Sequence, residues 1–341
     1  MTSKTINSIV WWIPFYKLRN NVRAYLRLKY CAFTPCIDSW FIKSFRKCLK
    51  EDTDFLSKYI NLIKNFDYES LKIINNIVSK ICNYNDIEDE AYFDLCETKE
   101  INETIMKHLK KIKKIDKNNY SYDKYILPIN SFEPESFYGK YGMDYIKNIN
   151  QVRNKNIIDA GAFIGDTAII LSDYTDKNVY SFEPFLQNYN TIFKTIELNK
   201  KNNIIPVNMA LGNENKEIGM DASIGAGCGL SIENAKESNI NNIKNKVKMV
   251  TLDSYAKENN IEVGLIKTDL EGFEQPFLKG AIETIKEQKP VLIISIYHNY
   301  SDFFEIKPMI ENLNLGYKFK IIEPKHHAAA LASTILLAEV Y

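Results

Sequence analysis

The sequence predicts an α/β fold: a doubly wound, mostly parallel sheet that ends in an antiparallel hairpin and follows a mostly α-helical N-terminal domain. Three observations predict it. After residue 150, short apolar runs alternate with helical patterns, as in a parallel sheet covered by helices. The last two runs are joined by about ten residues with no helical pattern, which indicates an antiparallel pair. Before residue 113, apolar residues recur at helical spacing.

The helical region begins with two amphipathic segments, 55–66 and 71–81, which predict a helical hairpin with Asp67 as a candidate N-cap. The same periodicity continues from Ile101 to Ile112. Residues 120–148 are rich in Tyr and Phe and punctuated by Pro and Gly. We interpret them as a structured connector or lid.

The sheet region is predicted strand by strand from its apolar runs, and helices are expected to begin near Asp166 and Leu186. The predicted strands are Asn156–Ala160, Val179–Phe182, Ile204–Met209, Leu265–Thr268, Pro290–Tyr297, Tyr317–Ile322 and Ser333–Val340.

Length and charge limit the classes of function. The chain has 341 residues, more than one average domain, and we divide it into a basic segment 1–50, a helical domain with connector 51–150, and a sheet domain 151–341. The net charge of +1 disfavours nucleic acid as a partner. Six cysteines without a CxxC pair, no signal peptide and no run of 18 apolar residues predict a cytoplasmic protein.

The first 50 residues carry ten basic side chains and one acid, Asp38. Trp11 and Trp12 precede an amphipathic pattern that starts at Pro14 and continues to Leu26. Such a segment predicts peripheral contact with an anionic membrane at its inner face. A surface helix packed on the sheet domain is the alternative that the pattern leaves open.

The strongest chemical signal follows the first predicted strand. Asp159, Gly161, Ala162, Phe163, Gly165, Asp166 and Thr167 belong to one strand-to-helix turn, Asp-Ala-Gly-Ala-Phe-Ile-Gly-Asp-Thr, and Glu183 ends the next strand. Glycines at such a turn let the backbone approach a ligand, and an acid about 20 residues on can bind both ribose hydroxyls. The pattern predicts a nucleoside-bearing cofactor. The spacing is not GxGxxG, which disfavours NAD.

These features, with the final hairpin, resemble the Rossmann-like fold of class I S-adenosylmethionine-dependent methyltransferases. The segment Ile266-Lys267-Thr268-Asp269-Leu270-Glu271-Gly272-Phe273-Glu274 is similar to a motif of the FkbM family. The resemblance covers residues 153–341. It implies that Asp159, Gly161 and Gly165 surround the methionine part of S-adenosyl-L-methionine (SAM) and that Glu183 binds its ribose. Asn208, Met209 and Ala210 are then expected near the adenine.

In such an enzyme the sulfonium activates the methyl group, so the protein aligns donor and acceptor and removes a proton from a hydroxyl. Asp269 and Glu271 follow the fourth main strand and His298 follows the fifth. We predict His298 as the general base because imidazole titrates near neutrality, with Asp269 orienting substrate or cofactor. A strand-end histidine without a catalytic role is the competing interpretation.

Other polar residues are weaker candidates. Glu271 and Glu274 could order their loop, or hold Mg²⁺ with Asp253 and Asp269, although no metal is expected. His326 and His327 could line an acceptor pocket, and 221–231 could form a lid.

The resemblance implies an O-methyltransferase that acts on a sugar hydroxyl in bacterial surface-glycan biosynthesis, such as lipopolysaccharide, capsule or another glycoconjugate. Methylation of a small secondary metabolite and a non-catalytic scaffold in a glycan assembly complex are the alternatives.

Overall fold

The computed structural model of the protein describes residues 8–14, 19, 22, 40–83, 95–220, 245–323 and 333–341. Its helices, numbered along the described chain, are α1 Trp40–Glu51, α2 Phe55–Ile63, α3 Tyr68–Asn83, α4 Leu95–Lys111, α5 Pro134–Phe137, α6 Ile149–Arg153, α7 Asp166–Leu171, α8 Leu186–Asn199, α9 Leu252–Glu258, α10 Glu274–Lys279, α11 Ile282–Gln288 and α12 Tyr300–Glu311. Its strands are β1 Ile112–Lys114, β2 Tyr120–Tyr122, β3 Tyr125–Leu127, β4 Asn156–Ala160, β5 Val179–Phe182, β6 Ile204–Val207, β7 Ala210–Leu211, β8 Lys216–Met220, β9 Asn245–Val250, β10 Val263–Thr268, β11 Val291–Ser295, β12 Lys318–Ile322 and β13 Ile335–Glu339.

The central sheet has seven strands in the order β12-β13-β11-β10-β4-β5-β6. Five strands are parallel, whereas β13 runs antiparallel to both β11 and β12. The chain order reverses between β4 and β10, which makes the carboxyl ends of these two strands the place where a ligand is expected. The predicted fold class and the antiparallel hairpin are confirmed.

Alternation along the strands divides the core into two layers. Ile158 and Ile266 face one layer, and their neighbours Ile157 and Leu265 face the other. Because side chains of a strand alternate between faces, near-continuous apolar runs bury both sides of the sheet. Both faces are therefore covered.

The N-terminal helices cover one of these faces and share its core. Phe45 of α1 packs against Phe303 and Phe304 of α12, with ring centroids 5.5 and 5.7 Å apart. Ser70, at the start of α3, accepts a hydrogen bond from the Ile321 N–H of β12 (3.0 Å). The helices predicted at 55–66 and 71–81 are present, and the Asp67 carboxylate accepts the Ser70 N–H (2.8 Å), as a helix cap does.

The connector covers the opposite face. Its strands β2 and β3 form a small antiparallel sheet with β1, which precedes the connector, and the sequence analysis missed this sheet because each strand is only three residues long. Tyr122 and Phe137 belong to the second core layer together with Ile157 and Ile169. The connector is thus part of the packed core.

Strand ends differ from the prediction where the chain leaves the central sheet. The run predicted as Ile204–Met209 ends at Val207, because the Met209 N–H bonds back to the Val207 carbonyl (3.0 Å) and the chain turns. It then forms a second small sheet, β7-β9-β8, that was not predicted. The run predicted as Pro290–Tyr297 ends at Ser295.

Several predictions fall on undescribed residues. Most of the helix expected from Pro14 to Leu26, the candidate lid 221–231, and His326 and His327 lie outside the described residues. Trp11 and Trp12 are described, and they are 69% and 85% exposed. In the part of the chain that the structure describes, no helix is both long and apolar enough to span a bilayer.

Candidate functional site

The turn between β4 and α7 brings backbone close to the end of β10. Gly161 has φ +81°, and a Cβ there would lie 2.0 Å from the Asp269 carbonyl oxygen. Phe163 (φ 47°) and Gly165 (φ +83°) also have positive φ. Only glycine takes such conformations at no steric cost, which explains Gly161 and Gly165, whereas Phe163 adopts its positive φ at a steric cost. The turn is present and brings Gly161 close to the Asp269 backbone, and its approach to a ligand stays a prediction.

Asp159 contacts this turn from the protein interior. It is fully buried, accepts a hydrogen bond from the Thr167 hydroxyl (2.8 Å), and its Oδ1 lies 3.1 Å from Lys267 Nζ. Lys267 also donates to the Gly161 carbonyl oxygen (2.9 Å). Burial disfavours the charged form of Lys267. The negative charges of Asp159, Asp269 and Asp166 outweigh this effect and raise the pKa of Lys267. In this geometry Asp159 and Thr167 hold the turn from inside, and a direct contact between Asp159 and cofactor stays a prediction.

Glu183 lies at the carboxyl end of β5, 20 residues after Phe163. Its Oε2 accepts the Phe163 N–H (2.9 Å) and its Oε1 accepts the Phe185 N–H (2.9 Å). Burial raises the pKa of Glu183 to about 7, against these hydrogen bonds, which favour the ionised form. Burial likewise raises the pKa of Asp166, at the start of α7, to about 7. Glu183 therefore joins the two loops that follow β4 and β5.

The residues expected near the adenine follow β6. The Asn208 side-chain amide donates to the carbonyl oxygens of Glu183 (2.9 Å) and Pro184 (3.0 Å). Met209 is partly buried, and Ala210 is buried as the first residue of β7. Asn208 thus braces the loop that carries Glu183, and adenine contact by these three residues stays a prediction.

Asp269 occupies the end of β10, directly opposite Gly161. Its N–H bonds to the Ala160 carbonyl (3.0 Å), and its Oδ1 accepts a hydrogen bond from the Tyr297 hydroxyl (3.2 Å). Burial opposes ionisation, but His298, Lys267 and Tyr141 favour the carboxylate and lower the pKa of Asp269. The site therefore favours the charged form of Asp269.

His298, three residues beyond β11, is surrounded by carboxylates. Its Nε2 lies 3.3 Å from Asp269 Oδ1 and 3.5 Å from Glu271 Oε2, and its Nδ1 lies 3.2 Å from Glu274 Oε1. Burial works against the imidazolium, but Glu274 and Asp269 raise the pKa of His298 well above its ordinary value. The structure thus brings His298, Asp269 and Glu271 together as predicted. These carboxylates favour the protonated ring, and the role of His298 as the general base stays a prediction.

Glu274 orders the loop between β10 and α10, one of the two roles considered for it. Its oxygens accept the N–H groups of Leu270 (2.7 Å) and Gly272 (2.9 Å). Glu271, held in this loop at φ 54°, has a side chain 42% exposed. Asp253 is elsewhere: it accepts the N–H groups of Glu283 and Thr284 in α11. The suggestion that Asp253 shares a metal with Asp269 is therefore wrong, because its carboxylate caps a helix.

Two residues of the site were missed by the sequence analysis. Lys267 is the lysine in an otherwise apolar strand, and a buried lysine needs a buried acid, so this signal was available. Tyr141 comes from the connector, where its hydroxyl lies 3.0 Å from Ser295 Oγ and its ring lies 5.0 Å from Lys267 Nζ. No local pattern predicts that contact, because it joins residues 154 positions apart.

Comparisons with known proteins bear on this site. No curated protein matches the chain. Among solved structures, the chain is similar to a Methyltransferase FkbM from Methylobacillus flagellatus KT, with 18% identity and a TM-score of 0.42, over 79% of this chain and 59% of that one. It is also similar to an rRNA methylase from Streptococcus thermophilus, with 12% identity and a TM-score of 0.37, over 62% of this chain and 100% of that one. A Streptococcus mutans protein in complex with SAH shows 14% identity and a TM-score of 0.35, over 62% and 99% of the two chains.

The family comparison covers the residues that build the site. The model of the Methyltransferase FkbM domain matches residues 159–319, from Asp159 at the end of β4 to Phe319 in β12. Glu183, Asp269 and His298 all lie within this range. Residues 159–319 of the chain therefore match a methyltransferase domain of the FkbM family.

Proposed function

We propose that the protein transfers a methyl group from SAM to a hydroxyl of a sugar in the biosynthesis of a bacterial surface glycan. The observation that carries the proposal is Glu183, whose buried carboxylate joins the loops after β4 and β5 at the carboxyl edge of the sheet. A carboxylate at this position can accept hydrogen bonds from the two hydroxyls of a ribose. The Gly161 turn beside it lets the methionine part approach the backbone.

The charges near Asp269 suit a sulfonium donor. The ionised Asp269 carboxylate lies beside Gly161 and is fixed by Tyr297, so its negative charge faces the place where the methyl group is expected. A fixed carboxylate stabilises a bound cation without reorganising during the reaction. In this arrangement Asp269 positions the donor.

Removal of the acceptor's proton falls to Glu271 in this proposal. Its side chain is the most exposed of the carboxylates around His298, at 42% exposed, whereas Glu274 is fully buried and Asp269 is 27% exposed. A base has to reach the acceptor hydroxyl directly or through one water. Clustered carboxylates also accept hydrogen bonds from a polyhydroxylated acceptor, which supports a sugar.

The N-terminal segment supports action at a membrane-bound acceptor. Trp11 and Trp12 are exposed, and the Arg19 guanidinium lies 5.4 Å from the Trp11 ring centre. The first 50 residues are strongly basic. Aromatic and basic residues together favour peripheral contact with anionic lipid. We propose that the enzyme works in the cytoplasm, next to the inner face of the membrane.

Calorimetric titration with SAM tests the cofactor assignment. We expect the wild type to bind, and Glu183→Ala to weaken binding at least tenfold, about 1.4 kcal/mol. Glu197→Ala, which removes an exposed carboxylate from α8, is the matched control and should bind like the wild type. Failure of folded wild-type protein to bind SAM would remove the proposal.

The acceptor class is tested by SAH formation from SAM. Nucleotide-linked and lipid-linked sugars should support turnover, and free polyketide or phenolic hydroxyls should not. Turnover on the small metabolites alone would replace the sugar with a secondary-metabolite acceptor. SAM binding without turnover on any acceptor class would favour a non-catalytic role.

A further inference from the structure

Three metal-ligating side chains meet where β10 and β11 end. Asp269, Glu274 and His298 each offer one donor atom, and these atoms all lie within 4.8 Å of one another. Two ligands bonded to one first-row cation at about 2.1 Å lie at most about 4.2 Å apart. Side-chain adjustments of less than about 1 Å therefore bring the three donors to coordination distance.

The imidazole of His298 points to a ligand independently of the acidic residues. Its side chain is only 8% exposed, and neither ring nitrogen forms a hydrogen bond with any described residue. The carboxylate oxygens that face the ring lie 3.2 to 3.5 Å away, without hydrogen-bond geometry. A buried polar nitrogen left in this way costs free energy. Coordination to a cation held by the same oxygens removes that cost.

The charges around the ring favour a divalent ion. Three carboxylates, Asp269, Glu271 and Glu274, lie within 3.5 Å of the His298 ring nitrogens. The Glu274 side chain is fully buried. Buried negative charge has to be balanced locally, and one imidazolium supplies a single positive charge. A divalent cation supplies two positive charges and displaces the proton of the ring, which binds a metal only in its neutral form.

We propose that Asp269, Glu274 and His298 bind a divalent first-row transition-metal ion, with Glu271 at the exposed rim of the site. Imidazole together with carboxylates suits Mn²⁺ or Zn²⁺ better than Mg²⁺ or Ca²⁺, which prefer oxygen ligands alone. This differs from the sequence-based expectation that no metal is used. The site goes beyond the proposed function and stands on its own geometry. The effect of the metal on the acceptor does rest on the proposed function: a bound cation lowers the pKa of an acceptor hydroxyl that contacts it.

Mn²⁺ binding to the full-length protein tests the site without SAM or acceptor. Protein freed of metal with a chelator is titrated with Mn²⁺, and the free ion is measured by its electron paramagnetic resonance signal. We expect one ion per chain, displaced by Zn²⁺ and not by equimolar Mg²⁺. His298→Ala and Asp269→Asn should weaken binding at least about tenfold. Glu287→Gln, which changes an exposed carboxylate of α11, is the control and should bind like the wild type.

Pulsed resonance of wild-type protein with Mn²⁺ bound gives a second measurement that needs no variant. A nitrogen coupling from a coordinated imidazole supports the site. Absence of this nitrogen coupling overturns the proposal. So does equal Mn²⁺ affinity of the wild type and both folded variants. No binding by folded wild type at 1 mM Mn²⁺, which corresponds to a binding free energy on the order of −4 kcal/mol, also overturns it. SAM titration of the same metal-free protein keeps failure of the metal site separate from failure of the proposed function.

Discussion

Asp159 and Lys267 face each other on the neighbouring strands β4 and β10, with Oδ1 and Nζ 3.1 Å apart and both side chains out of solvent. Lys267 also reaches the Gly161 carbonyl, so the pair connects the sheet to the turn that carries the proposed cofactor site. A buried ion pair is costly to break because one partner is left charged and unpaired.

Replacing Lys267 with Met should therefore lower the free energy of unfolding by about 3 to 5 kcal/mol. Urea denaturation of wild type and variant measures the loss. Adding Asp159→Asn should restore part of it, because the unpaired carboxylate disappears. Strictly additive losses in the double variant would show that the two side chains are not coupled.

Gly161 and Gly316 allow two costs of replacing a glycine to be measured separately: backbone strain at positive φ and steric clash of the added Cβ. Both have positive φ, +81° and +84°, but a Cβ at Gly161 meets the Asp269 backbone at 2.0 Å, whereas nothing lies within 4 Å at Gly316. Gly316→Ala should cost only the conformational strain, roughly 1 to 2 kcal/mol. Gly161→Ala should cost clearly more and abolish SAM binding, because the turn has to move away from β10.

Denaturation curves and SAM titrations of the two variants check this prediction. Equal losses of stability would mean that the turn absorbs the added methyl group. Unchanged SAM binding by Gly161→Ala would mean that the turn does not contact the cofactor.

The central sheet was predictable because its signals are local. Buried strands are continuous apolar runs, so β4 and β5 were predicted with the bounds that the structure shows. The short strands β1–β3 and β7 were missed, since two or three residues carry too little periodicity to stand out.

The sequence predicts which residues meet at the site better than it predicts their protonation. Asp269, Glu271 and His298 were expected to meet because parallel strands end at one edge of the sheet. The carboxylates that face His298 determine its protonation, and their distances depend on the loop that Glu274 folds. The contact of Tyr141 with this edge depends on the path of the whole connector.

Glu183 should make stability depend on pH. Its pKa is about 7 in the folded chain, above the ordinary 4.5, so the fold favours the neutral form. The stabilisation is complete below pH 4.5 and is lost as the pH rises through 7, by about 3 kcal/mol in total.

Glu183→Gln, which cannot ionise, isolates this contribution. The free energy of unfolding of the wild type should fall relative to the variant between pH 4.5 and 7 and run parallel to it above pH 8. Glu197→Gln, on the exposed side of α8, should follow the wild type at every pH. Parallel wild-type and Glu183→Gln profiles over the whole range would contradict the raised pKa.

Lys307 of α12 joins the N-terminal helices to the sheet domain. Its side chain is 1% exposed, and its Nζ donates to the Lys64 carbonyl (2.7 Å) at the end of α2 and pairs with Glu311 (2.7 Å). The Phe66 and Phe319 rings lie on either side of the contact between the two regions, each 5.4 Å from Nζ. The ammonium therefore donates a hydrogen bond at the end of α2, where the last carbonyls lack partners within the helix.

Lys307→Met keeps the apolar stem and removes these hydrogen bonds. The free energy of unfolding should fall by about 1.5 to 3 kcal/mol, the value of a hydrogen bond to a charged group. Limited proteolysis should cut near the end of α2 sooner than in the wild type, while SAM affinity should stay the same because the contact is remote from Glu183. Lys318→Met, at an exposed position of β12, is the control and should change neither property. Wild-type stability and cleavage in Lys307→Met would mean that apolar packing alone holds the helices in place.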